Sequence, residues 1–266
     1  MGNLNLEQLI SKSKIKPKDT KIAVVLGDFH IPFHDKKAVG LAFGFCEDKQ
    51  PDTIVLNGDF IDMYSISKFD KNPLRWFNIQ DELDNAYEIL KELRARCPKS
   101  DIVYTEGNHE ERLMKYIWKH PELAGLEVLS MPSLLKLKSL DIKFVPKTKD
   151  YYIKKLLVTH GDRIRKHSAY TARAVMEDYG VNCVINHTHR GGAHYKTDRG
   201  GVHGAFENFC LCDLSPEYVA KPNWQQGLSV VFYEAHGTRY HIIQCPIFLK
   251  EIMFGDTVYS VRGGKK

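Results

Sequence analysis

The sequence has no uninterrupted apolar run of the ~20 residues that a membrane-spanning helix needs, and its opening, Met1 to Lys21, lacks the apolar core of a secretory leader. A cytoplasmic protein with no membrane partner is therefore expected. Gly2 behind Met1 has no second anchoring signal beside it, so a lipid reading adds no stable attachment. The six cysteines, Cys46, Cys97, Cys183, Cys210, Cys212 and Cys245, are too dispersed for a disulfide framework and read as reduced thiols. Cys210-x-Cys212 has neither the spacing nor the second pair of a zinc site. Charge is also in short supply as a signal: a net +5 and a pI near 8.7 would help an anionic substrate approach but fall short of a nucleic-acid-binding stripe. Internal repeats and low-complexity tracts are missing too, which excludes a solenoid. Oligomeric state leaves no readable trace.

What is present is a recurring pattern of short apolar runs that each end in polar residues. Ile22–Leu26 runs into Gly27-Asp28-Phe29-His30, Thr53–Leu56 into Asn57-Gly58-Asp59, and Ile102–Tyr104 into Glu106-Gly107-Asn108-His109. Leu156–Thr159 then leads to His160-Gly161-Asp162, and Cys183–Ile185 to Asn186-His187-Thr188-His189. Runs apolar on both faces read as central strands of a covered sheet. Helical spacing separates them, most clearly over Gln80–Arg96, where Leu83, Tyr87, Leu90 and Leu93 form one stripe. Further helices are expected from Pro32 to Glu47 and from Ser168 to Tyr179. Alternating strands and helices imply a largely parallel α/β sheet with its ligands beyond the carboxyl ends of the strands, where all these polar clusters sit.

Met63–Trp76 and Pro121–Tyr151 read as loops and short elements framing a cleft. Gly227–Glu234 and Thr238–Cys245, joined by Ala235-His236-Gly237, read as a hairpin belonging to a second, C-terminal β layer. The division expected is an N-terminal arm over residues 1–19 and one domain over 20–266.

Taken singly the polar clusters are weak signals. Asp28 and His30, two apart, would point the same way in extended chain and suit a divalent cation, yet such pairs recur freely on surfaces. Gly58-Asp59 alone is ordinary turn chemistry. His187-x-His189 can aim two imidazoles at one pocket, or be structural. The order is what carries specificity: Asp-x-His, Gly-Asp, Gly-Asn-His-Glu, His-Gly-Asp, His-x-His, each behind a strand.

That series resembles the calcineurin-like metallophosphoesterase superfamily, over roughly Ile22 to Arg190. The resemblance implies a four-layer α/β/β/α sandwich with a mostly parallel N-terminal sheet and a C-terminal β layer. It implies two divalent metal ions, manganese first, with iron, zinc or nickel accepted by the same oxygen and nitrogen donors. Asp28, His30 and His189 would hold one metal, Asn108, His160 and His187 the other, and Asp59 would bridge them. A shared carboxylate keeps two cations within ~4 Å, so that a water between them is acidified for attack on phosphorus. His109 would be the catalytic histidine and Asp62 the carboxylate that orients it, although an Asp at 62 would equally serve as a turn or helix cap. Serine/threonine protein phosphatases carry a phosphate-clamping Arg where this chain has Met63, which counts against that activity. Substitutes within reach are Arg112, Arg163, Arg165, His167 and Arg190, with Arg163 the first choice.

The function implied is a metal-dependent phosphoesterase acting on a phosphodiester or phosphomonoester of a nucleotide or nucleic acid. A nuclease of the DNA-repair type is the alternative, with Trp76, Trp118 and Trp224 as stacking candidates. A non-catalytic scaffold is a further one, which the retention of His109 beside every candidate ligand opposes.

Overall fold

The structure, a computed structural model, describes residues 19–75, 78–216 and 219–261. The expected N-terminal arm, apart from Asp19, lies outside the described residues, as do Trp76 and the Gly-Gly-Lys-Lys end.

The first half of the chain alternates as expected. Strand β1 (Thr20–Leu26) leads to helix α1 (Lys36–Lys49), β2 (Thr53–Asn57) to α2 (Ile79–Arg96), and β3 (Asp101–Thr105) to α3 (Glu111–Lys119). Helix α1 begins where Asp35 accepts hydrogen bonds from the backbone N–H of Lys37 and Ala38 at 2.8 and 3.1 Å. Asn78 caps α2 in the same way through Asp81 N–H, and acidic Asp81 and Glu82 in the first turn with Arg94 and Arg96 in the last match the helix dipole. The α1 cap at Asp35 sets its start four residues after the one expected from Pro32.

Strands β1, β2, β3 and β4 (Ile142–Val145) run parallel in one sheet. Strands β5 (Tyr151–Ile153), β6 (Leu156–Thr159), β7 (Cys183–Ile185), β8 (Gly191–Asp198) and β9 (Gly201–Asn208) form a second, in the order β5-β6-β7-β9-β8. The short helix α4 (Met131–Leu134) precedes β4, and α5 (Tyr170–Tyr179) joins β6 to β7 and ends on left-handed Gly180.

Period-two burial stacks these elements into four layers. On β1 and β2, Val24, Leu26, Ile54 and Leu56 pack with the inward faces of α1 and α2, through Phe43, Phe45, Leu90 and Leu93. Their alternates Ala23, Val25 and Val55 meet Leu156, Val158, Val184 and Phe206 of the second sheet. Beyond that sheet, Leu157, Cys183 and Ile185 pack against Ala172, Val175 and Met176 of α5. The result is the expected α/β/β/α sandwich.

Two placements differ from the sequence reading. The hairpin β10 (Gly227–Glu234) and β11 (Tyr240–Pro246) exists, but β10 pairs antiparallel with β1 and extends the first sheet. The second layer instead comes from the middle of the chain, so the His160 and His187 runs leave the sheet that carries Asp28 and Asp59. Local periodicity marks a strand but not its partner, because pairing depends on which edge the folded chain leaves open. Strand β4, within the segment read as loops and short elements, fills the far edge beside β3. The last described elements form a small hairpin, β12 (Glu251–Phe254) with β13 (Thr257–Ser260), whose Phe254 and Tyr259 pack on Phe45.

A buried amide seam joins the two sheets. Asn57 Nδ2 donates to Thr159 O and to Asn186 Oδ1, both at 2.9 Å, and Asn208 Nδ2 donates to Val25 O and Asn186 Oδ1 at 3.2 Å. Asn186 Nδ2 in turn donates to Asp28 Oδ2 and Phe209 O. Replacing Asn186 by Leu strands several polar groups in a dry site, so Asn186→Leu is expected to cost about 3 kcal/mol in urea unfolding, well beyond a surface substitution.

Candidate metal centre

The polar clusters of both sheets meet at one end of the sandwich. The loops after β1 and β2 are zipped together by backbone bonds: Asp28 N–H to Gly58 O, His30 N–H to Asp59 O at 2.9 Å, and Ile31 N–H to Phe60 O at 3.0 Å. Asp28, His30, Asp59, His187 and His189 all have positive φ, between 49° and 71°. Each such non-glycine residue costs on the order of 1–3 kcal/mol and persists only where its surroundings over-determine it. Extended alternation is therefore not what aims Asp28 with His30 or His187 with His189; left-handed turns just past the strand ends do. Gly58, at φ +78°, must lack a side chain, since a Cβ there would lie 2.6 Å from His160 Nδ1.

Two groups of donor atoms result, each within 4.8 Å: Asp28, His30 and His189, and Asp59, His160 and His187. His30 Nε2 lies 3.0 Å from His189 Nε2, 4.0 Å from Asp28 Oδ1 and 3.8 Å from Asp59 Oδ2. His160 Nε2 lies 3.2 Å from Asp59 Oδ2 and 3.1 Å from Asn108 Oδ1. Asp59 thus faces both groups with one oxygen. The outer bonds set the rings: His160 Nδ1–H donates to Asn57 O at 2.9 Å and His30 Nδ1–H to Asp62 Oδ2 at 3.2 Å, which turns each Nε2 inward, where a bound cation would take its lone pair. Asp28 is held by the His187 N–H at 2.9 Å, so the second sheet orients a carboxylate of the first.

This donor set fits divalent cations. Asp28 and Asp59 are 0% and 1% exposed, and paired buried carboxylates are costly without a compensating positive charge. Burial and the neighbouring Asp59 push Asp28 up to about 7, against the pull of His160. Burial opposes ionisation of Asp59 as well, but His109 and His160 outweigh it and hold that carboxyl well below its ordinary range. Burial lowers His187 to about 4 and pushes His30 and His189 down, so these imidazoles are neutral and ready to donate a lone pair. His160 is the reverse: although burial disfavours its charge, Asp59 and Asp28 raise it to about 9.

His109 sits beside the first group, its ring centroid 4.3 Å from that of His30. Its Nδ1–H reaches Asp62 O at 3.0 Å and Asp62 Oδ2 at 3.4 Å, while Nε2 lies 3.7 Å from Asp59 Oδ2. Burial works against the charged ring, yet Asp59 and Asp62 together raise His109 above the ordinary histidine range. Asp62 is no mere cap: it accepts from His30, His109 and Arg112, and the two imidazoles, His109 first, hold it ionised despite its burial. His30, Asp62 and His109 also form a third close donor group among the described residues, but Asp62 is already engaged by Arg112 at 3.0 Å.

Arg163 is not where the sequence reading put it. Its half-exposed guanidinium pairs with Asp178 at 2.7 Å and Asp162 at 3.3 Å, on a small cavity of about 110 Å³ apart from His109. Arg163 lines that cavity together with His160 and Gly161, but its guanidinium is committed to Asp178 of α5 and to Asp162. Arg190 is buried and spends its guanidinium on Arg165 O and Lys166 O, while Arg165 and His167 are exposed. Arg112 alone of those five reaches the site, 3.0 Å from His109 Nε2. Met63 is fully buried in the helix-side core, so its position offers nothing to the cleft.

Sequence reasoning also missed Glu110. Its buried carboxylate accepts from the N–H of Asp59, Phe60 and Gly107 at 2.8 to 3.0 Å and from Tyr104 Oη, clasping the Asp59 turn to the Asn108 turn. Only the Glu of the Gly-Asn-His-Glu run hinted at it. Asn57 and Asn186, each next to a recognised cluster, carried no separate signal.

A model of the calcineurin-like phosphoesterase family matches residues 22–222, and the chain belongs to that family, which uses divalent metals. The Gene 54 proteins of Mycobacterium phages D29 and L5 are 28% identical over 244 residues and 27% identical over 239, each covering 84% of this chain and 93% of the relative. Among solved structures, a Vps29 single mutant from Entamoeba histolytica is similar at 13% identity and a TM-score of 0.39, covering 84% of this chain and 98% of its own. Yfce, a phosphoesterase from E. coli, has 12% identity, a TM-score of 0.39 and the same coverage.

Metal binding here must displace protons, because His160 titrates near 9 and Asp28 near 7. Mn²⁺ affinity is expected to rise between pH 6 and 9 by about tenfold or more. Calorimetry at pH 7 in buffers of different ionisation enthalpy should show proton release, and a buffer-independent heat would contradict the assignment.

Proposed function

We propose that the chain is a two-metal phosphoesterase that hydrolyses a phosphodiester or phosphomonoester of a nucleotide or nucleic acid in the cytoplasm, with residues 20–266 acting as one domain. The observation that carries this reading is the convergence of two donor groups on Asp59, with His109 held beside them by Asp62 and Arg112. In this assignment Asp28, His30 and His189 hold one cation, Asn108, His160 and His187 the other, and Asp59 both. Manganese is the first choice, with iron, zinc or nickel compatible with the same donors. When bound, the cations would acidify a water and offset charge on the phosphoryl oxygens.

The chain's own residues complete the chemistry. Asp62 fixes the His109 ring through Nδ1 and favours its charged form; Nε2, which faces the Arg112 guanidinium at 3.0 Å, would protonate the departing ester oxygen once Arg112 turns to the phosphoryl group. Arg112, anchored on Asp62 at 2.7 and 3.0 Å, brings a permanent positive charge to the same place and takes the phosphate-contacting role first given to Arg163. Glu110 holds the backbone turn that carries Asp59, and Asn186 holds the Asp28 carboxylate in position.

With Mn²⁺ the protein is expected to cleave bis-p-nitrophenyl phosphate or p-nitrophenyl phosphate, and a chelator should abolish the activity. His109→Ala should lower kcat by about 10²–10⁴ while metal content stays unchanged. A panel of cyclic nucleotides, nucleotides, single- and double-stranded oligonucleotides and phosphopeptides then separates the readings. Metal-dependent cleavage confined to oligonucleotides supports the nuclease, whereas a metal-loaded protein inert to every ester is a scaffold.

A further inference from the structure

The candidate metal centre opens to one side on a cavity of about 750 Å³, lined by His30, His109 and His189 at its inner end. Its outer walls are rings: Phe33, Tyr64, Phe69 and Trp224. The rings are built in. Trp224 packs edge-on against His189 with centroids 4.3 Å apart, and Tyr64 meets Phe33 edge-on at 5.3 Å. Glu82, fully buried on α2, accepts from the backbone N–H of Tyr64 and Ser65 at 2.8 and 2.9 Å, and Tyr64 Oη accepts from the N–H of Asn72 at 2.7 Å. A buried carboxylate is thus committed to holding one turn whose side chain forms the wall.

We infer that this cavity is a nucleobase compartment, which seats the planar ring of a single nucleotide against Tyr64, Phe33 and Trp224 while its phosphate lies at the metal centre; the inference rests on the phosphoesterase reading. Aromatic walls offer stacking to any flat base, a contribution open to all four nucleobases. The carboxylates of Asp70 and Asp213 also line the cavity and can accept hydrogen bonds from the exocyclic amino groups of a base. Its size is that of a small-molecule site of about 300–1,000 Å³, enough for a nucleoside and too small for a duplex. His109 and Arg112 line the same space, so the nucleoside lies on the leaving-group side. Hydrolysis then breaks the phosphorus–oxygen bond to the nucleoside, water supplies the new phosphorus–oxygen bond, and the nucleoside oxygen leaves with a proton from His109.

The test compares substrates that differ only in the base: AMP against ribose 5-phosphate, and their methyl phosphodiesters, each with the Mn²⁺-loaded protein. The full chain is expected to favour the base-bearing member of each pair by about 10- to 100-fold in kcat/KM. Tyr64→Leu should collapse that ratio to within about threefold, and Tyr64→Phe, which keeps the ring, should retain it. A wild-type ratio below about threefold, or one that survives both Tyr64→Leu and Phe33→Leu, overturns the compartment. If no ester is cleaved, the phosphoesterase reading fails, and equilibrium dialysis decides the compartment separately. AMP bound at least about tenfold more tightly than ribose 5-phosphate supports it, and equal binding overturns it.

Discussion

Two sheets can share a polar centre only if the backbone and side-chain groups at their seam are satisfied away from water, and Asn186 is where this chain meets that demand. One amide bonds to Asn57 and Asn208, and reaches Asp28 and Phe209 O. Asn57 in turn accepts from Thr105 Oγ1 at 2.9 Å, and its carbonyl receives His160 Nδ1–H. Strands β2, β3 and β9 and the turn after β7 are thereby locked at one level, and the candidate ligands stand directly on that level. Loss of any partner would leave buried polar groups unpaired, which costs more than the bond itself contributes.

Above the seam, strain and burial act together. The left-handed backbone at Asp28, His30, Asp59, His187 and His189 turns five side chains inward that an ordinary loop would scatter. Glu110 offsets part of that strain by satisfying the N–H groups of the Asp59 turn. The same crowding spreads the titration of the imidazoles: burial and the neighbouring His160 take His187 to about 4, while Asp59 and Asp28 overcome burial and raise His160 to about 9. Three of the candidate ligands, His30, His187 and His189, are thus neutral donors, while His160 gives up its proton when a cation binds, and proton transfer falls to His109 outside the ligand set.

Much of this was legible because it is local. Each candidate ligand lies within a few residues of a strand end, and the helical stripe of α2 and the apolar runs of β1, β2, β3, β6 and β7 follow from periodicity alone. Arg163 misled because nearness in sequence to His160 does not set direction: one turn carries the guanidinium to Asp178 instead. Arg112 was no more conspicuous in sequence, yet the turn that leads into α3, closed by Arg112 N–H on His109 O, brings it back beside His109. The hairpin β10–β11 was legible as a hairpin, but its attachment to β1 was not, since an edge becomes available only when the other strands have taken their places.

The sequence by itself determined the family, the strand and helix alternation, and the identity and order of the candidate ligands, because these depend on short-range pattern and on residue chemistry. Tertiary structure alone decided which sheet each strand joined, that His109 would share Asp62 with Arg112, that Glu110 would hold the Asp59 turn and Asn186 the Asp28 carboxylate, and that four rings would wall a cavity at the centre's side. Those outcomes rest on contacts between residues far apart in the chain, where distance and direction are set by packing rather than by spacing.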